Sequence, residues 1–129
     1  SRLWAKACPA PSDLRAAYSQ TTQMTQVSRP SQTLMFADAA MCSQGTAMIE
    51  YSFAEPPYAV VAGQVVEGLL MSPSIHFRHS SLANIGWTDG HVDQHLAARL
   101  EGENAYGVRS AAVDLGWFGP VDNSLFDLQ

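Results

Sequence analysis

Leu82-Ala83-Asn84-Ile85-Gly86-Trp87-Thr88-Asp89-Gly90-His91-Val92-Asp93-Gln94-His95-Leu96 is the stretch that decides the fold. Ala83, Ile85 and Trp87 alternate with Asn84, Gly86 and Thr88, and the alternation starts again at His91. A period of two marks an extended strand, because successive side chains leave opposite faces of the pleat. Asp-Gly between two alternating runs points to a two-residue turn: a type I′ turn needs positive φ at both central positions, and Asp and Gly tolerate it. Residues 82–96 are therefore expected to form a β-hairpin, with antiparallel sheet as the organising element.

Upstream, residues 33–37 form an unbroken apolar run launched by Pro30-Ser31 and stopped at Asp38, the pattern of a strand covered on both faces. Residues 46–53 set Ile49, Tyr51 and Phe53 against Met48, Glu50 and Ser52, a half-buried strand that Pro56-Pro57 ends. Val60-Val61 and Val65-Val66 flank Gly63 as short strand or loop segments, and Ile75 and Phe77 alternate with His76 and Arg78 as a further strand. Helical signals are brief: residues 13–18 behind a Ser12 cap, and 97–101 before Gly102. Residues 1–30, with Pro9, Pro11 and Pro30, read as loops and short edge segments. The tail, 113–129, is irregular but rich in Leu115, Trp117, Phe118, Leu125 and Phe126, so its aromatics are expected to pack back on the sheet. With no linker or internal repeat, the expected architecture is one α+β domain over residues 1–129, mostly antiparallel sheet with long loops.

Composition narrows the functions. The chain has 129 residues, 47% hydrophobic and 15% charged, enough apolar material for one core and too few charges for a solvated tail. A net charge of -5, with Lys and Arg spread thinly, leaves no basic stripe for phosphates, so nucleic acid is not an expected partner. No run approaches the ~20 apolar residues that cross a bilayer. Cys8 and Cys42 permit one disulfide in an oxidising compartment, or stand as two small buried hydrophobes; their spacing does not choose between these.

All four histidines, His76, His79, His91 and His95, fall within twenty residues, with Asp89 and Asp93 among them. On a strand starting at Gly90, His91, Asp93 and His95 share one face, and such a set is a candidate for zinc or another divalent ion. Ligand sets with known spacing are absent, and the plainer reading is a solvated strand face alternating with buried Val92 and Leu96. His79 follows the strand containing Ile75 and Phe77, so it can fold beside the hairpin and donate to Asp89. His79 with Asp89 and Gly90 is thus expected to act as a structural latch. There is no Gly-x-Ser-x-Gly elbow, glycine-rich phosphate loop or cysteine nucleophile signature, so a catalytic role and an organic cofactor are not expected.

His79, nine intervening residues, then Asp89-Gly90 and His91-Val92 resembles the signature of the prepilin-type processing-associated H-x(9)-DG proteins, a type II secretion pseudopilin-like family. Asn84, Cys8-Pro9, the run from Arg29 to Asp38 and Leu115-Gly116-Trp117-Phe118-Gly119-Pro120 resemble further family segments in the same order. The resemblance implies a pilin-like head of antiparallel sheet, with His79, Asn84, Asp89, Gly90 and His91 as its motif and no established catalytic residues. It also implies a periplasmic or cell-surface location, inner-membrane anchoring of the full-length protein, and other pilin-like subunits as partners in a type II secretion or type IV pilus-like assembly. Family members begin with a processed segment leading into a long apolar helix, which these 129 residues lack. The alternatives are a periplasmic solute- or glycan-binding module, with Trp4, Tyr58, Trp87 and Trp117 as a stacking platform, and a metal-dependent hydrolase.

Overall fold

A computed structural model describes residues 23–43, 47–104, 106–120 and 122–126. The strands run β1 (Leu34–Ala37), β2 (Ala40–Cys42), β3 (Met48–Glu50), β4 (Tyr58–Val61), β5 (Gln64–Leu70), β6 (Ile75–His76), β7 (Leu82–Trp87), β8 (Val92–Leu96) and β9 (Leu115–Gly116). All pair antiparallel: β1, β7 and β8 form a three-stranded sheet with β7 in the middle, while β2 with β3, β4 with β5 and β6 with β9 make two-stranded ribbons. Helix is confined, among the described residues, to three-residue 3-10 turns at Met24–Gln26, Pro30–Gln32, Ser110–Ala112 and Ser124–Phe126. The domain is therefore mainly β, and no described helix is long and apolar enough to cross a membrane.

The helical half of the expected α+β class is not found in the described residues. Residues 13–18 lie outside them. Residues 97–101 are irregular instead, with a bend at Ala98 and a bridge at Arg99, because tertiary pairing overrides their modest helix propensity. The Trp117 carbonyl accepts from the N–H groups of Ala98 and Arg99, and Trp117 N–H returns a bond to the Arg99 carbonyl. The Arg99 guanidinium lies over the rings of Trp117 and Tyr58, 5.4 and 5.9 Å from their centroids, while its Nε donates to Glu101.

The core lies under β7, whose alternation the sequence reports correctly. Ala83, Ile85 and Trp87 are buried with Ile75, Phe77, Trp117, Phe118 and Phe126. The tail packs back as expected: β9 pairs with β6, Trp117 Nε1 donates to the Glu55 carbonyl, and the Asn123 amide bonds both the N–H and C=O of Tyr58. A second cluster joins Ala40, Cys42 and Leu115, with Met48 and Val108 against it. Cys8, the other cysteine of the disulfide that the sequence permits, lies outside the described residues.

Other faces depart from expectation. β1 is an edge strand with an irregular register between Leu34 and Phe36, so only Leu34 and Ala37 turn to the core and Phe36 is 68% exposed. In β3 the inward residue is Met48, opposite Cys42, and Ile49 is exposed. β8 is inverted: Asp93 and His95 sit opposite the buried Ile85 and Ala83 and so lie on the core side, leaving Val92 69% and Leu96 65% exposed.

Gly116 marks the tightest crossing. A Cβ built there would lie 2.1 Å from the Arg99 carbonyl oxygen and 2.8 Å from Leu100 Cδ2, so only glycine admits this pairing of the tail with residues 98 and 99. Gly116→Ala is expected to lower the free energy of unfolding by about 3 kcal/mol or more, measured by urea titration. A loss under about 1 kcal/mol would show that the two segments separate easily.

Candidate functional site

The side chains that sequence reading singled out sort into two groups, one around Asp38 and one around Trp87. Asp38 directly follows β1, where the chain turns from β7 towards β6. Its backbone N–H still donates to the Asn84 carbonyl at 3.1 Å, but its own carbonyl accepts from His76 N–H at 2.8 Å. The main-chain acceptor that β7 needs is thereby taken away, and the carboxylate replaces it. Asp38 Oδ2 accepts from Asn84 N–H at 2.9 Å and from Asn84 Nδ2 at 3.0 Å, and stands 3.2 Å from His79 Nε2. Asn84 Oδ1 accepts from Gln94 Nε2 at 2.9 Å, extending the network to β8.

His79 opens a tight turn in which His79 and Leu82 exchange both backbone hydrogen bonds. The central residues Ser80 and Ser81 both have positive φ, 55° and 66°, as a type I′ turn requires. The geometry expected of Asp89-Gly90 is thus realised at Ser80-Ser81. At the hairpin tip a three-residue loop forms instead: Gly90 N–H donates to the Trp87 carbonyl, Trp87 N–H donates to the His91 carbonyl, and Gly90 takes φ +94° as a bulge residue. Asp89 Oδ1 accepts from the backbone N–H and from ring Nδ1 of His91. Those two bonds, the ring one first, hold the Asp89 carboxyl below the usual carboxylate range.

The expected bond between His79 and Asp89 is therefore replaced by two separate pairs, His79 with Asp38 and His91 with Asp89. Both halves of the motif latch strands, but to different partners. The residue that reading missed is Asp38, taken only as a strand stop. Its signal was an acid directly after an apolar run, where a carboxylate can accept bonds that the turning backbone abandons.

His91, Asp93 and His95 do come together, on the core side of the sheet. Asp93 Oδ1 accepts from Trp87 Nε1 at 2.7 Å and lies 3.1 Å from His95 Nε2, and Asp93 Oδ2 lies 3.9 Å from His91 Nε2. An ionised carboxylate only accepts, so the tautomer that bonds it carries hydrogen on the facing His95 nitrogen, which then has no lone pair for a metal. The rings also stack: His91 lies parallel to Trp87 at 5.7 Å, and His95 on Phe118 at 4.6 Å. Among the described residues no group of three or more His, Cys, Asp or Glu side chains is arranged to hold a metal ion. Of the expected stacking platform, Trp87 and Trp117 are buried core, Tyr58 lies under Arg99, and Trp4 is outside the described residues.

His76 stands apart from the other histidines, with its Nδ1 buried and without a hydrogen-bond partner among the described residues. Burial first, and then the neighbouring Arg78 guanidinium, holds its imidazole below the ordinary histidine range; the carboxylates of Asp114, Asp38 and Glu50 oppose this only in part. No family model, curated protein or solved structure matches the chain.

Two outcomes follow from these contacts. In double-mutant cycles, His79→Ala and Asp38→Ala are expected to couple by about 0.5–1 kcal/mol, modest because His79 is half exposed. His79→Ala and Asp89→Ala are expected to add within roughly 0.5 kcal/mol. Coupling of the second pair and additivity of the first would reverse the assignment. The other outcome concerns pH. A histidine with a depressed folded value binds its proton more readily when unfolded, so its contribution is complete above the unfolded value of 6.5 and is lost as pH falls below it. Urea unfolding at pH 7 and pH 5 is expected to show a smaller loss of stability in His76→Gln than in the wild type; an equal or larger loss would rule out this role.

Proposed function

We propose that this chain is the head of a pseudopilin-like envelope subunit, a non-enzymatic domain displayed by a type II secretion or type IV pilus-like assembly. The observation that carries the reading is the use of the signature residues. His79 and Asn84 bind Asp38, while Asp89, Gly90 and His91 close the hairpin tip. Each joins one piece of the sheet to another, as a signature does in a domain whose selected property is its shape. The pairing of His79 with an acid at the end of β1 also accounts for the order of the resembling segments, since the run ending at Asp38 and the H-x(9)-DG stretch form adjacent strands.

On this reading an N-terminal helix anchors the full-length protein in the inner membrane, the head lies in the periplasm or at the cell surface, and its partners are other pilin-like subunits. The test is made on the native protein in its host. Fractionation followed by mass spectrometry of the N-terminus is expected to find a processed, methylated residue heading an apolar helix in the membrane fraction, with the unprocessed form accumulating when the prepilin peptidase gene is deleted. Recovery from the cytosolic fraction with no apolar segment ahead of Ser1 would overturn the proposal.

A further inference from the structure

β8 ends the three-stranded sheet, and nothing among the described residues pairs with its outer edge. Trp87 N–H donates to the His91 carbonyl at 3.0 Å, and bonded pairs in an antiparallel ladder recur every second residue, so Asp93 and His95 turn their backbone groups to β7. The N–H and C=O groups of Val92, Gln94 and Leu96 then point away from the sheet, with no backbone partner among the described residues. The strand contains no Pro, Lys or bulge, and its one acidic residue, Asp93, points inward and is tied to Trp87 and His95. Its outward side chains Val92 and Leu96 are among the most exposed apolar residues of the domain.

We propose that β8 pairs antiparallel with β8 of a second copy of this chain, about a two-fold axis through Gln94, joining two three-stranded sheets into one of six strands. The register follows from the sequence of the strand. Centring the axis on Asp93 would set two carboxylates opposite each other, and centring it on His95 would set two imidazoles opposite each other. Centring it on Gln94 places Asp93 opposite His95 of the second copy, twice, and Val92 opposite Leu96, also twice. The open backbone groups agree: residues 92, 94 and 96 become the bonded pairs, and 93 with 95 the closely spaced non-bonded pair, where an acid and an imidazole approach best. Acid–imidazole pairing and apolar contact thus select the same register, which a strand of arbitrary sequence would not do.

Five residues a side bury less than the area of a stable complex, so the dimer is weak. The pairing uses only the β8 edge and holds whether or not the head belongs to an envelope assembly.

Sedimentation of the full 129-residue chain between about 10 µM and 1 mM reads it. The wild type is expected to show a reversible monomer–dimer equilibrium. V92E and L96K lie on the exposed outer face and retain cooperative melting, yet each alone dissociates at least about tenfold more readily. An equimolar mixture of V92E and L96K recovers association, because the heterodimer sets the new carboxylate opposite the new ammonium. A monomer at 1 mM overturns the proposal. So does a dimer that both variants leave unchanged, which would place the contact elsewhere, such as on the exposed β4–β5 ribbon, and so does a mixture no tighter than its components, which would refute the Gln94-centred register.

Discussion

Asp38 carries the constraint on which the rest of the sheet depends. A chain that leaves β1 for β6 must turn its next carbonyl away from β7, and the N–H groups of Asn84 would then be left without an acceptor at the edge of the core. Leaving a buried N–H unsatisfied costs about 1–3 kcal/mol, and the partly buried backbone N–H of Asn84 would bear part of that cost. The carboxylate supplies its acceptor and takes the side-chain amide as well, while the backbone carbonyl released by the turn is used by His76 of β6. One residue therefore bonds β1 to β7 through its side chain and to β6 through its main chain, and Asn84 passes the connection to Gln94 of β8. The three-stranded sheet and the β6–β9 ribbon are joined at this point, although hydrogen-bond ladders alone would leave them as separate pieces.

Small sheets need such joints. A two-stranded ribbon is marginal in water, and the described residues contain three of them. Two of them are tied down by a side chain acting as surrogate backbone. Asn123 bonds the N–H and C=O of Tyr58 and so anchors β4. Asn104 is buried, accepts from the N–H groups of Tyr106 and Val108, and donates to the Cys42 carbonyl of β2. Gly116 does the same work by subtraction, since the absence of a Cβ allows β9 to approach residues 99 and 100. The aromatic core of Trp87, Trp117, Phe77 and Phe118 fills the space that these ties enclose.

The histidines take their environment from the parity of β8. Because its odd-numbered residues face the core side, His91, Asp93 and His95 border Trp87 and Phe118 and are hydrogen-bonded and stacked there. The even-numbered residues, two of them apolar, face water together with Phe36. Polar side chains on the inside of an edge strand and apolar ones on the outside reverse the usual arrangement, and this reversal leaves an apolar outer face beside an open edge.

The local sequence by itself determined those features that depend on residues near one another in the chain. The alternation of Ala83, Ile85 and Trp87, the reversal near Asp89-Gly90, the inward Ile75 and Phe77 and the return of the aromatic tail all appear in the structure, because period and turn chemistry act over a few residues. The tertiary structure decided what depends on a distant partner. Which face of β8 is buried follows from its register against β7. The conformation of residues 97–101 follows from Trp117, and the partner of His79 from where β1 ends, more than forty positions earlier. Asp89-Gly90 and Ser80-Ser81 show the limit clearly. Either pair can reverse a chain, and the type of each turn was chosen by the strands that had to meet across it, since a one-residue change in the loop moves every following side chain to the other face of the sheet.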